Sequence, residues 1–108
     1  MVKVIWTGPA YRDLLEIAEY IAVDNRDAAD LVVGRVIQHV NQLEMHPESG
    51  SVVPEMAGSS LRQLVEPPCR IFYRVAERTV YILHVARFER LLRLGTLQER
   101  DDELGLAD

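Results

Sequence analysis

The chain has 108 residues, of which 48% are hydrophobic and 27% are charged, a size and composition typical of one globular domain with a single core. Cys69 is the only cysteine, which excludes an internal disulfide and argues against a thiolate metal site. No apolar run approaches the length of a membrane span, and the N-terminus lacks a signal-peptide pattern, so we expect a cytoplasmic protein.

The net charge of −5 is unevenly distributed along the chain. Residues 1–58 hold four basic and nine acidic groups, and residues 94–108 hold one arginine and five acids. Residues 59–93 are basic, with seven arginines, three glutamates and no lysine. Arginine presents a planar, permanently charged fork that suits phosphate or carboxylate groups, although arginines also occur on solvated sheet faces.

The first predicted elements are a strand and two helices. Residues 2–6 are rich in β-formers and predict a short strand. The sequence Thr7-Gly8-Pro9 marks a helix start, and the apolar spacing predicts a helix from about residue 9 to residue 23. A second helix follows the break at residues 24–27 and ends at His46, because the residue before a proline disfavours the helical region. The short break predicts an antiparallel helical hairpin.

The rest of the chain predicts a loop and then a sheet. Glycines, prolines and serines indicate a loop over residues 47–60. Three β segments are predicted at residues 61–65, 70–76 and 79–87, and the last two form a hairpin. Residues 88–97 are compatible with a short helix, and residues 98–108 predict an acidic, flexible tail. We therefore expect one domain over residues 1–97, of class α+β and order β-α-α-β-β-β, with the helical hairpin packed on an antiparallel sheet.

Most motifs that carry chemistry are missing from the sequence. The six glycines never approach the spacing of a phosphate-binding loop, and the three histidines lack metal-site spacing with each other or with Cys69. The serines of the loop have no adjacent base, which argues against a nucleophilic triad. We interpret His84 as a satisfied, half-buried strand residue, Asp13 as part of a solvated helix face, and Cys69 as a small filler. We expect neither a metal nor a cofactor.

The arginine-rich segment is the chemically informative feature. Strand alternation places Arg70, Phe72 and Arg74 on one face of their strand. If the strands are adjacent, we expect several guanidinium groups to converge on one binding surface. That surface would comprise Arg62, Arg70, Phe72, Arg74, Arg87, Phe88 and Arg90. Arginine with aromatic residues grips nucleic acid and also anchors protein interfaces, so both uses stay open. A plainer alternative is that Arg70 and Arg74 only pair with Glu66, Glu77 or Glu89 across the sheet.

Several segments, in their order and spacing, resemble the RelE/ParE superfamily of type II toxins. They are WTGPAYRDLLEIAEYIAVDN, LEMHPESG, LRQL, CRIFYRV and VYILHVARFER, and together they cover about residues 2–92. The resemblance implies a fold of two N-terminal helices against an antiparallel sheet. It also implies a cognate antitoxin, whose extended C-terminal segment wraps the toxin. Operator DNA binding is then expected of the antitoxin and not of this chain.

The superfamily divides in function, and the residues of this chain favour one branch. RelE-like members cleave mRNA in the ribosomal A site, whereas ParE-like members poison DNA gyrase. If the chain is such a nuclease, Arg70, Arg87 and Arg90 match arginines of the RelE-like site. Lys3 is the only lysine, however, and no tyrosine follows Tyr81, while arginine is a poor proton acceptor. These departures favour gyrase inhibition; ribosome-dependent mRNA cleavage and a non-toxic antitoxin-binding module are the alternatives.

Overall fold

The computed structural model describes residues 1–106 and contains one five-stranded sheet with helices on both faces. The strands are β1 (Lys3–Trp6), β2 (Ser51–Val52), β3 (Arg62–Glu66), β4 (Cys69–Ala76) and β5 (Thr79–Arg87). The helices are α1 (Gly8–Ala22), α2 (Arg26–Asn41) and α3 (Leu94–Glu103), with short 3-10 turns at Gln42–Glu44 and Pro54–Met56. The α+β class and the helical hairpin packed on the sheet are confirmed.

The helical hairpin begins where the sequence indicates. Thr7 caps α1, because its hydroxyl accepts a hydrogen bond from the Ala10 amide at 3.3 Å, and Asn25 caps α2 through the Ala28 amide at 3.0 Å. These side chains satisfy amides that have no partner inside the helix. Helix α2 ends earlier than predicted, at Asn41, and a 3-10 turn carries the chain onward.

The strand order of the sheet is β1-β5-β4-β3-β2, and only the β1–β5 pair is parallel. This pair differs from the all-antiparallel sheet of the sequence prediction. Two helices and three strands lie between β1 and β5, which is the long connection that a parallel pair requires. Strand β2 lies in the predicted loop and pairs with β3 for only two residues. A two-residue edge strand is below the length that sequence patterns resolve.

The sheet separates two apolar clusters and so defines two faces. On the helical face, α1 and α2 cover a cluster that includes Leu14, Val36, Ile71 and Tyr73. On the opposite face, called the α3 face, the cluster comprises Val53, Leu61, Phe72, Leu83, Ala86 and Leu97. The strand alternation predicted for β4 is confirmed, because Ile71 and Tyr73 lie on one face and Phe72 on the other.

Helix α3 crosses the domain boundary predicted at residue 97 and occupies much of the predicted flexible tail. Leu97 is fully buried, and Arg100 and Asp101 form ion pairs with Asp13 and Arg74. These partners are distant in the sequence, so local pattern gave no sign that the segment is ordered. The last part of the predicted tail, residues 107–108, lies outside the described residues. No helix in the described part of the chain is long and apolar enough to span a membrane.

Candidate functional site

Two of the predicted arginines lie on the helical face. Arg62 is directly opposite Tyr73 in the β3–β4 register, and Arg87 is opposite Cys69 in the β4–β5 register. Tyr73 and Cys69 both belong to the cluster beneath α1 and α2. Directly opposed residues of neighbouring strands share a face, so Arg62 and Arg87 share that face too.

The other two strand arginines lie on the α3 face. Arg70 is opposite Ala86 and Arg74 is opposite Tyr81, and both partners contact the α3-face cluster. The prediction that all the arginines converge on one surface was therefore wrong. Register decides the face of each side chain, and a difference of one residue reverses it. The strand sequences alone do not fix that register.

Arg70 is held by side chains of its own chain. Its two terminal nitrogens each donate to a Glu55 oxygen at 2.8 Å, and Nε donates to Gln63 Oε1 at 3.0 Å. Its guanidinium also lies 4.8 Å from the centre of the Phe72 ring. The hydrogen bonds from Arg70 lower the pKa of Glu55 from 4.5 to about 2. Arg70 therefore forms a bidentate carboxylate pair, the strong form of this interaction.

Arg74 is almost completely covered. Its fractional exposure is 6%, and Nη1 donates to Asp101 Oδ2 at 2.9 Å and to Oδ1 at 3.2 Å. Phe72 is fully buried, so the prediction that it belongs to a binding surface was wrong. The plainer alternative correctly expected Arg70 and Arg74 to be paired with carboxylates. It named the wrong partners, because Glu55 and Asp101 come from a loop and from α3.

Arg62 fastens the loop that precedes the sheet. It donates to the Gly50 carbonyl at 2.8 Å and to the Glu48 carbonyl at 3.3 Å. The Gly50 amide in turn donates to the Tyr73 hydroxyl at 2.8 Å. A Cβ at Gly50 would lie 2.5 Å from that hydroxyl, so only glycine fits. Burial raises the pKa of Tyr73, against an opposing effect of this hydrogen bond. Arg62 therefore has a structural role in this arrangement.

Arg87 stands at the junction between the sheet and the most open part of the predicted surface. Its guanidinium stacks over the Tyr20 ring at 3.6 Å, and Nη1 donates to Glu89 Oε1 at 2.8 Å. Phe88 follows with 47% of its surface exposed, and Arg90 is exposed as well. Of the predicted set, Phe88 and Arg90 are the exposed residues, whereas Arg87 beside them is only 7% exposed.

A groove of about 480 Å³ opens between α1 and the segment that follows β5. We call it the arginine groove, and its outer lining includes Tyr20, Arg87, Arg90, Leu91 and Arg93. Leu91 is 92% exposed. Within residues 1–106, neither Arg90 nor Arg93 forms an ion pair. The groove thus offers exposed cations beside apolar surface, which suits an acidic, partly apolar protein segment.

The sequence analysis did not predict a buried polar cluster at the edge of β5. Asp13 Oδ2 accepts hydrogen bonds from Arg100 at 2.6 Å and from the Val85 amide at 3.1 Å, and lies 2.9 Å from His84 Nδ1. Burial raises the pKa of Asp13, but hydrogen bonds from His84, Arg100 and Val85 outweigh it and lower the pKa below 3.8. Asp13 was wrongly interpreted as a solvated helix residue, whereas His84 is satisfied as expected. The position of Asp13 next to the apolar Leu14 was the available signal.

Other candidate chemistry finds little support in the geometry. Cys69 is fully buried, and burial raises the pKa of its thiol to about 11, so a thiolate is scarce at neutral pH. Among residues 1–106, no group of three or more histidine, cysteine or acidic side chains is placed to hold a metal ion.

Solved structures of toxin–antitoxin systems share this fold. The chromosomal ParDE TA system from P. aeruginosa superposes with a TM-score of 0.69 at 26% identity, covering 82% of this chain and 98% of that chain. The toxin–antitoxin complex RelBE2 from Mycobacterium tuberculosis gives a TM-score of 0.59 over 80% of this chain and 96% of that chain. Its identity is 21%, so this second likeness shows the fold alone.

Sequence comparison gives the family. The model of the ParE toxin of type II toxin-antitoxin systems (parDE) matches residues 4–92. Toxin RelE2 of Caulobacter vibrioides is 35% identical over 92 residues, which are 84% of this chain and 100% of that protein. The chain belongs to the ParE toxin family of type II toxin-antitoxin systems. The resemblance to the RelE/ParE superfamily is thereby confirmed.

Proposed function

We propose that this toxin inhibits DNA gyrase by binding to it, and that a cognate antitoxin neutralises it in the cytoplasm. The observation that carries the proposal is that most arginines of the predicted site are paired with carboxylates of the same chain. Two of the three that match a RelE-like nuclease site are engaged by carboxylates of the same chain, Arg70 by Glu55 and Arg87 by Glu89. Such arginines stabilise a fold well, but they are poorly placed to neutralise charge on a reacting phosphate.

General acid–base chemistry also lacks a well-placed group. Lys3 pairs with Thr79 at one end of β5, whereas Arg87 is at the other end, roughly 26 Å away at the rise of a strand. Because a catalytic base must lie within hydrogen-bond reach of the proton it removes, Lys3 does not support a nuclease site at Arg87. His84 lines the same groove as Arg87, but its Nδ1 is engaged by Arg100 and Asp13. Protein binding needs no such base.

The surface that we propose for docking is the arginine groove together with Phe88. It retains the exposed Phe88 and Arg90 from the predicted set, together with the largely covered Arg87. It adds Arg93 and Leu91. Arginines and aromatic residues are enriched at binding hot spots, and exposed cations speed association with an acidic partner. With α3 docked on the sheet, Arg62, Arg70, Phe72 and Arg74 instead make contacts within the chain.

The proposed antitoxin covers the same groove with an acidic or apolar segment. Support comes from the solved ParDE neighbour, which is described as a toxin–antitoxin system. A shared docking surface also explains neutralisation simply, because the antitoxin and gyrase would compete for it. DNA binding by the complex is assigned to the antitoxin.

A gyrase supercoiling and DNA-cleavage assay tests the proposal. The purified chain is compared with an Arg90→Ala/Arg93→Ala variant and with an Arg26→Ala/Arg35→Ala variant. The second pair removes the same charge from exposed positions of α2. We expect the unmodified chain to trap cleaved DNA, and the neighbouring-gene partner to relieve this effect. The groove variant should require a concentration roughly tenfold higher, as for loss of one good interface contact, and the α2 variant should match the unmodified chain.

Ribosome-dependent mRNA cleavage is the second candidate, favoured by the 35% identity to Toxin RelE2. Folded protein that leaves gyrase unaffected at micromolar concentration, yet cleaves mRNA during translation, would establish this alternative. Cleavage positions are read by primer extension on a translated message. Loss of cleavage on Arg90→Ala, without loss of folding, would then assign that residue to the nuclease site.

A further inference from the structure

Helix α3 lies outside the part of the chain that defines the family. The family model ends at residue 92, and α3 runs from Leu94 to Glu103. Toxin RelE2 is matched over its whole length by 92 residues of this chain. The contacts of α3 with the sheet therefore indicate its role.

Helix α3 is attached to its face of the sheet by apolar contacts and ion pairs. Leu97 packs in the cluster with Phe72 and Leu83. Arg100 donates to Asp13 at 2.6 Å and to the Leu83 carbonyl at 3.1 Å. Asp101 pairs with Arg74 at 2.9 Å, and both side chains are less than 10% exposed. Leu92 and Leu104, at the two ends of the helix, pack against the same cluster. The attachment thus combines one buried leucine and two partly buried ones with two groups of ion pairs.

The helix depends on these contacts for its order. It has only 10 residues, and isolated helices of fewer than roughly 12 residues are marginal in water. Arg93 at its N-cap makes no side-chain capping bond, and Leu97 is its only buried residue. Segments held by few apolar contacts open locally at a small fraction of the free energy of global unfolding. The order of helix α3 therefore depends on its docking against the sheet.

Two cavities flank α3 above the sheet. Arg93 and Thr96 line the arginine groove on one side, and Gln98 and Asp101 line a second cavity of about 760 Å³ on the other. Arg74 lies in the wall of the second cavity. The helix places Asp101 against Arg74 and Arg100 against Asp13. Its departure would uncover Arg74, Phe72 and Asp13 between the two cavities.

We propose that α3 is a built-in lid that restrains this toxin. Docked on the sheet, it covers Arg74 and Phe72 and confines the accessible basic surface to the arginine groove. Released, it exposes Arg74 and extends that surface across the sheet. This inference rests on the proposed function in one respect: it assumes that the enlarged surface is the surface that binds the target. Affinity for the target then scales with the fraction of molecules whose lid is open.

Two full-length variants weaken the lid, and each has a matched control on the same helix. Asp101→Asn removes the partner of Arg74, and the control Glu99→Gln neutralises an exposed acid. Leu97→Ala removes the buried contact, and the control Leu94→Ala truncates a leucine that is 39% exposed. In the Asp101→Asn variant, Arg74 loses the negative charge of Asp101 only while α3 is docked, so the substitution destabilises the docked state.

The measurements are hydrogen exchange of α3 and β4 amides, and growth inhibition at matched protein levels. We expect Asp101→Asn to speed α3 exchange at least roughly tenfold, the effect of losing one charge-assisted bond. Leu97→Ala should speed it more, because Leu97 is fully buried. In both variants β4 should stay better protected than α3. The protein level that halves growth should fall by a similar factor. Both controls should behave like the unmodified chain.

The proposal is overturned if α3 exchange is unchanged in both variants, or if it rises while growth inhibition does not. Absence of toxicity from every variant, despite faster α3 exchange, also overturns it. A gyrase assay on the same proteins separates the two proposals. Stronger growth inhibition without any effect on gyrase would support the lid proposal and refute gyrase as the target.

Discussion

The two faces of the sheet are stabilised by different physical means. Beneath α1 and α2, thirteen buried residues form one cluster, and hydrophobic burial is the dominant stabilising contribution there. The α3 face has a cluster of six, and the ion pairs Arg74–Asp101 and Arg100–Asp13 flank it. The helical face therefore holds the larger apolar core, while the α3 face combines a smaller core with ion pairs.

The largest expected effect comes from the helical face. Ile71→Ala removes a fully buried side chain from its cluster, and such truncations cost about 2–5 kcal/mol of the free energy of unfolding. Urea denaturation measures the loss. Val65→Ala is the control, because Val65 on the neighbouring strand is 45% exposed and should change stability by less than about 0.5 kcal/mol. Equal effects would contradict the assignment of the core.

Gly50, which contacts the Tyr73 hydroxyl, gives a second test of packing on the helical face. Gly50→Ala forces a Cβ to within 2.5 Å of the Tyr73 hydroxyl and 2.6 Å of the Gln63 carbonyl, so we expect a loss of about 1–3 kcal/mol. Gly34→Ala meets no atom within 4 Å in α2 and should stabilise by about 0.5–1 kcal/mol. Chemical denaturation of the two variants should give shifts of opposite sign, and a shared sign would refute the close approach.

Acid should loosen the α3 face before the helical face. The folded-state pKa values of Asp13 and Glu55 are lowered from 3.8 and 4.5, so their contribution is fully present above those values. It declines as the pH falls, and for Glu55 it is lost through about 2. Because Glu55 is 37% exposed, its pair contributes at most about 1 kcal/mol.

Hydrogen exchange of α3 and β4 amides across this pH range measures the effect. We expect α3 protection, corrected for intrinsic exchange rates, to decline while β4 protection is retained. In an Asp13→Asn variant, α3 should already exchange fast at neutral pH and respond less to acid. Parallel loss of protection on both faces would show that the faces unfold together.

The smallest expected effect concerns the stack at the mouth of the arginine groove. Tyr20→Leu removes the ring that lies 3.6 Å from the Arg87 guanidinium, and we expect a loss of about 0.5–1 kcal/mol. Thermal or urea unfolding detects a change of this size. Tyr11→Leu is the matched control, since Tyr11 lies on the same helix and is 54% exposed. A larger loss for Tyr11→Leu would mean that the stack contributes nothing measurable.

Much of the fold followed from local patterns. The bounds of β5 were predicted at residues 79–87 and are confirmed, because a β-rich run bounded by a turn signals a strand. The cap at Thr7 is confirmed as well. Fewer features of the candidate site could be predicted from local patterns. The residue types were found in advance, but Arg62 and Arg87 lie on the face opposite to Arg70 and Arg74.

The sequence by itself determined the class of fold, the alternation within β4 and the family, because these depend on periodicity, caps and the order of local motifs. Only the tertiary structure decided which carboxylate pairs with which arginine. Glu55 reaches Arg70 from a loop, and Asp101 reaches Arg74 from a helix 27 residues further along the chain. Ion pairs between such distant positions arise from strand register and helix docking, and no local sequence pattern encodes either.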